Sequence, residues 1–128
     1  MSAMSNPVGW FEIYVSDMAR ARAFYEGVFQ RSLSPLPGPP GAQLEMFMFP
    51  GEMNQPGCVG ALVRSGMRGP SPEGALIYFS CADCAQEAER ASRHGGAVLM
   101  PKTSIGDYGQ IAIVRDSEGN TIGLHSAA

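Results

Sequence analysis

Few side chains of this sequence are of types that do chemistry, and they are scattered along it. Glu12 lies in an early alternating segment and His125 in the last one, so a carboxylate and an imidazole can serve as acid and base if the fold brings those segments together. Cys81-Ala82-Asp83-Cys84 has the C-x-x-C spacing of a redox dithiol. Such pairs belong to a parallel-sheet context that nothing else here suggests, and no second pair completes a zinc site. The spacing is therefore read as two small, half-buried residues at a strand-to-helix junction. His94, just before Gly95 at a helix end, favours the negative pole of the helix dipole and is read as structural.

The 128 residues suffice for one ordinary domain but not for two independent cores, so any internal duplication must share one. A formal charge of -3 without a Lys/Arg cluster excludes the electrostatic footprint of nucleic-acid binding and of attachment to an anionic membrane. No apolar run approaches the roughly 20 residues of a membrane span. Met1 to Pro7 lacks the basic and apolar regions of a signal peptide, and three cysteines are too few and too odd for a secreted disulfide framework. The expected location is the cytoplasm.

These residues must be positioned by a short list of elements. Gly9 to Val15 alternates as a strand, with Phe11, Ile13 and Val15 on one face and Trp10, Glu12 and Tyr14 on the other. Asp17 caps a helix whose buried stripe is Met18, Ala21, Phe24, Tyr25 and Val28. Leu33 to Leu36 is at best an edge strand because of Pro35, Pro37 to Gly41 is a loop, and Leu44 to Phe49 and Cys58 to Val63 are strands. After a Gly, Pro and Ser-rich linker the order returns: strand Ala75 to Ser80, a helix from Cys84 to His94 capped by Asp83, strand Val98 to Pro101, strand Gln110 to Val114, the turn Asp116 to Asn120, and strand Thr121 to His125. The fold class is α+β, with two tandem βαβββ modules, about 8–64 and 75–126, joined by a linker at 65–74 and forming a curved mixed sheet around a central cavity.

This order, with Val15-Ser16-Asp17, Ala21 to Tyr25 and the turn Asp116 to Asn120, resembles the vicinal oxygen chelate superfamily of glyoxalase I, bleomycin-resistance proteins, extradiol dioxygenases and fosfomycin-resistance enzymes. The resemblance runs from about Val8 to His125. It implies fold more than reaction, because that scaffold hosts metal enzymes, binding proteins and inert relatives. In metal-using relatives the first ligand lies seven residues before the capping aspartate, a position held here by Trp10. Its counterpart in the second module is Leu76, the last ligand's place is Gly123, and the strand Cys58 to Val63 offers no carboxylate or imidazole. Hard and borderline cations need carboxylate, imidazole or thiolate donors, so the family's metal site is expected to be absent.

If those positions face a cavity, strand alternation adds Glu12 and Tyr14 to Trp10, Tyr78 and Ser80 to Leu76, and Thr121 and His125 to Gly123. Met46, Met48, Gln110 and Ala112 are assigned to the same cavity, with Ile111 and Ile113 on the helix-packed side. The expected function is binding of a small organic molecule against Trp10, Tyr14, Met46, Met48, Leu76, Tyr78, Gln110 and Gly123, without a metal or other cofactor. By resemblance the chain is expected to form a homodimer. Two alternatives stand beside this reading: a lyase, isomerase or dioxygenase using Glu12 and His125 or a non-standard metal site, and a ligand-free module that contacts another protein.

Overall fold

The computed structural model describes residues 6, 8, 10–38, 41, 43–52 and 54–128. Gly9, where the first strand is expected to begin, and parts of the loops 37–41 and 51–57 lie outside the described residues.

The first module runs β1 (Trp10–Tyr14), α1 (Met18–Phe29), β2 (Ser34–Pro35), β3 (Leu44–Met48) and β4 (Val59–Ser65). The second runs β5 (Tyr78–Ser80), α2 (Cys84–Arg93), β6 (Ala97–Ser104), β7 (Gln110–Arg115) and β8 (Thr121–Ser126), with a 3₁₀ turn at Gly106–Tyr108 before β7. Each module forms its own four-stranded mixed sheet, in the orders β1-β4-β3-β2 and β5-β8-β7-β6. In both, the first strand runs parallel to the last and the rest of the sheet is antiparallel. The two modules with their mixed sheets match the α+β class expected from the sequence; the strands form two sheets rather than one, each with its first strand at an edge.

The caps are as the residue types dictate. Asp17 accepts from the amide of Arg20 and Asp83 from that of Ala85, each satisfying an amide of the first turn that has no partner within the helix. Both helices bury their stripes in one shared core, where Ile13, Phe24, Tyr25, Val28 and Leu62 of the first module meet Ala88, Ala91, Val114, Ile122 and Leu124 of the second. The helices touch directly, and Arg90 Nε on α2 donates to the carbonyl of Val28 on α1 at 2.7 Å.

Three expectations change. Strand β5 begins at Tyr78 rather than Ala75, because the preceding segment is held as a loop: Thr121 Oγ1 donates to the Pro72 carbonyl and the Ser71 amide donates to Asn120 Oδ1. Leu76 consequently lies outside the strand and is exposed. Strand β6 extends to Ser104 past Pro101, which an edge strand with two register shifts accommodates. The phase of β7 is the reverse of that expected. Ala112 pairs with Leu124 and Val114 with Ile122, all buried against α2, whereas Ile111 and Ile113 pair with His125 and Gly123 on the helix-free face. Helix α2 packs close through the small side chains of Cys84, Ala88 and Ala91, so the close-packed seats of β7 take Ala112 and Val114 and the larger isoleucines point away. Gln110, in phase with Ala112, moves with it to the helix-packed side and leaves the expected cavity.

Candidate functional site

Alternation along β1 places Trp10, Glu12 and Tyr14 on the helix-free face of the first sheet. They form one hydrogen-bonded ladder: Trp10 Nε1 donates to Glu12 Oε2 at 3.2 Å, and the Tyr14 hydroxyl donates to Glu12 Oε1 at 2.6 Å. That bond to Glu12 is the main reason the Tyr14 phenol is raised above its ordinary pKa; burial and the carboxylate's charge add to it. Arg68 lies over the Tyr14 ring at 5.9 Å and opposes the shift. In register with this ladder across β4 and β3 are Met48, opposite Ala61, and Met46, opposite Val63. Trp10, Glu12, Tyr14, Met46 and Met48 therefore share one face of the first sheet.

On the second sheet, Tyr78 pairs with Gly123 and Ser80 with His125. A Cβ at Gly123 would run into the Tyr78 ring. The same relation recurs in the first module, where Phe11 covers Gly60 on the helix-packed side. His125 Nε2 lies 2.6 Å from the carbonyl oxygen of Tyr108, so that nitrogen carries the hydrogen and donates it. The structure does not bring Glu12 and His125 together. The carboxylate is held by its own strand and the imidazole by the turn before β7, with no hydrogen bond between them. Arg22 pairs with Glu26 at 3.3 Å and stacks on Phe47 at 4.2 Å.

Among the described residues, a smaller and a larger cavity lie between the modules. The smaller, about 370 Å³, is walled by Glu12, Tyr14 and Arg68 on one side and by Asn120, Thr121 and Ile122 on the other, with linker residues Ser71 and Gly74 at its margin. The larger, about 830 Å³, opens on the helix-packed side around Phe11, Phe29, Phe49 and Phe79. Neither is lined by Trp10, Met46, Met48, Gly123 or His125. Leu76 lines neither one, and Tyr78 borders the larger.

The residues present do not fit the metal of the metal-using relatives. Trp10 offers an indole, Leu76 is an exposed alkyl chain outside the sheet, Gly123 has no side chain and is covered by Tyr78, and the facing residues of β4 are Val59, Ala61 and Val63. Among the described residues no three His, Cys, Asp or Glu side chains gather as a metal site would require. The dithiol spacing fares likewise. Cys84 is buried at the start of α2, and burial, followed by the charge of Glu87, pushes the Cys81 thiol up to about 12, away from thiolate chemistry.

The turn Asp116 to Asn120 is a latch between the modules. Tyr25 donates its hydroxyl to Asp116 Oδ2 at 2.6 Å, and the side-chain amide of Asn120 donates to the Tyr14 carbonyl at 2.9 Å. Glu118 accepts from the amides of Ser16 and Asp17, each at 2.9 Å, and from Arg20 Nε at 2.6 Å. Burial alone would raise the Glu118 carboxyl, but the Arg20 guanidinium and the two amides outweigh it and hold it at about 2. The available signal was a polar turn carrying three residues that can bond to backbone.

Residues 8–124 match the model of the Glyoxalase/Bleomycin resistance protein/Dioxygenase superfamily, and the chain belongs to that family. It is 28% identical over 124 residues to "Putative glyoxylase CFP32" of Mycobacterium bovis and of Mycobacterium tuberculosis, covering 92% of this chain and 44% of each relative. The chain thus spans less than half the length of those curated relatives. Glyoxalase I from Zea mays superposes with a TM-score of 0.73 at 20% identity, over 94% of this chain and 46% of the maize protein, which speaks to the fold alone. TnmS3, an antibiotic binding protein from Streptomyces sp. CB03234, superposes with a TM-score of 0.62 at 26% identity, over 100% of both chains. No helix is long and apolar enough to cross a membrane among the described residues.

Proposed function

We propose that the chain binds a small organic molecule in the 370 Å³ cavity where the modules meet, and does so without a divalent metal. The carrying observation is that Glu12, fixed by Trp10 and Tyr14, stands with Arg68 in the wall of a cavity to which both modules contribute. Its volume falls within the range of about 300–1,000 Å³ usual for small-molecule sites. A carboxylate whose rotamer is already held accepts from a ligand amine or hydroxyl at little further entropic cost, while Arg68 on the same wall suits an acidic or carbonyl group. The end-to-end likeness to an antibiotic binding protein supports this class of function.

The donor chemistry at Trp10, Leu76 and Gly123 supports the metal-free reading. A homodimer accords with the half-exposed Tyr78, which a second copy would cover. In that arrangement the second copy would meet the helix-free faces that carry Trp10, Met46, Met48, Tyr78 and His125. Three free cysteines accord with work in the cytoplasm.

The test is a thermal-shift screen of small metabolites and antibiotics in EDTA, on the parent chain and on Glu12→Gln and Arg68→Ala. Compounds that raise the melting temperature of the parent and lose that effect in both variants are expected. Shifts that need added metal, or that persist in both variants, would overturn the reading.

A further inference from the structure

The larger cavity lies on the opposite side of β1 from Glu12 and has chemistry of its own. Four phenylalanines converge on it: Phe11 and Phe49 at 5.6 Å between ring centroids, Phe49 and Phe79 at 5.6 Å, and Phe29 and Phe79 at 4.6 Å. All four are only partly buried although they pack against the core, so apolar ring surface is left facing an open space of about 830 Å³. Tyr25 forms the floor, fully buried and committed to Asp116. The polar part of the lining comes from Arg31, Glu52, Gln55, Ser80, Cys81 and Glu87.

Glu87 is the informative member. Its Oε2 is ion-paired with Arg90 at 3.3 Å, but its Oε1 is buried with no hydrogen-bond partner among the described residues. A desolvated carboxylate oxygen without a donor is a standing cost in a folded protein, and such a group calls for a partner. The Cys81 thiol, which interacts with the Glu87 side chain, is a weak donor and lies 3.5 Å from the Phe79 carbonyl.

We infer that this helix-side cavity is a second binding site, for a planar aromatic molecule bearing a hydroxyl or amine that donates to Glu87. The rings of Phe11, Phe29, Phe49 and Phe79 bury the aromatic body through edge and offset contacts. Glu87 lines the cavity and turns its carboxylate to meet the donor, and Arg90 neutralises that carboxylate so that a neutral phenol suffices. This inference does not rest on the Glu12 site, which shares none of these side chains.

The experiment is isothermal titration calorimetry of the full chain with 2-naphthol and with naphthalene, which has the same body and no donor. Saturable binding of one 2-naphthol per chain is expected, with naphthalene weaker by about tenfold or more, as loss of a hydrogen bond to a charged group predicts. Glu87→Gln should erase most of that difference and leave naphthalene unchanged. Cys58→Trp, and separately Gln55→Trp, places an indole at the exposed mouth and should abolish binding of both compounds while circular dichroism stays native; having two variants guards against one that fails to fold. Glu12→Gln should change nothing here, so failure of this site and failure of the Glu12 site are distinguishable. No saturable binding, equal affinity for the two compounds, or binding that persists in both tryptophan variants would overturn the inference.

Discussion

The hydroxyl of Tyr25 on α1 donates to the carboxylate of Asp116 in the β7–β8 turn at 2.6 Å, joining the first module to the second inside the shared core. Asp116 also accepts from the amides of Glu118 and Asn120 and from the Asn120 side chain. A buried carboxylate is tolerated because each of its oxygens is supplied with donors. Two segments that mark the family in sequence are thus the two ends of one contact.

Removing the Tyr25 hydroxyl alone leaves Asp116 buried and short of a donor. Tyr25→Phe is expected to destabilise the chain by about 1–3 kcal/mol, read as a lower urea midpoint with unchanged slope. A variant as stable as the parent would mean that the contact is not a latch.

Stability should fall in acid because of Glu118. Its folded-state pKa of about 2 is below the ordinary carboxylate value of 4.5, so the unfolded chain takes up protons first as pH drops. The contribution is complete above about 4.5 and is lost as pH falls through about 2. Urea titrations at pH 6 and pH 3 should show this loss, and Glu118→Gln should flatten the dependence over that window.

Thiol labelling at pH 8 should modify Cys58 first, because it is exposed, while Cys84 is buried and the Cys81 thiol stands at about 12. Mass spectrometry after brief exposure to iodoacetamide checks this. Rapid modification of Cys81 would reopen the dithiol reading.

Gly123→Ala should cost on the order of 1 kcal/mol, since the added methyl meets the Tyr78 ring and forces it to move. Combined with Tyr78→Ala, most of that cost should disappear, a non-additivity that a double-mutant cycle reads directly. Purely additive effects would contradict the covering role of Tyr78.

Element order, both aspartate caps and the faces of β1 and β3 were legible because local signals carry them: period-2 alternation from Trp10 to Tyr14, and Asp17 and Asp83 ahead of amphipathic runs. The phase of β7 was not. Ile111 and Ile113 look like core residues when hydrophobicity alone is weighed, yet the close approach of Ala88 and Ala91 reserves the packed seats for Ala112 and Val114. How far the two sheets lie from a common barrel was equally hidden, since it depends on long-range contacts such as Arg90 with Val28 and Tyr25 with Asp116. Glu12 was legible as a face residue, but its clamping by Trp10 and Tyr14 and its separation from His125 are matters of rotamer and turn geometry.

The most direct test of metal-free binding at Glu12 is calorimetry on protein purified without chelators, assayed for metal, and titrated with the best compound from the thermal-shift screen before and after dialysis against EDTA. The account predicts no stoichiometric metal, one site per chain, and an affinity that EDTA leaves unchanged and Glu12→Gln lowers by about tenfold or more. Binding that disappears with the metal and returns on its addition, or that is indifferent to Glu12→Gln, would contradict it.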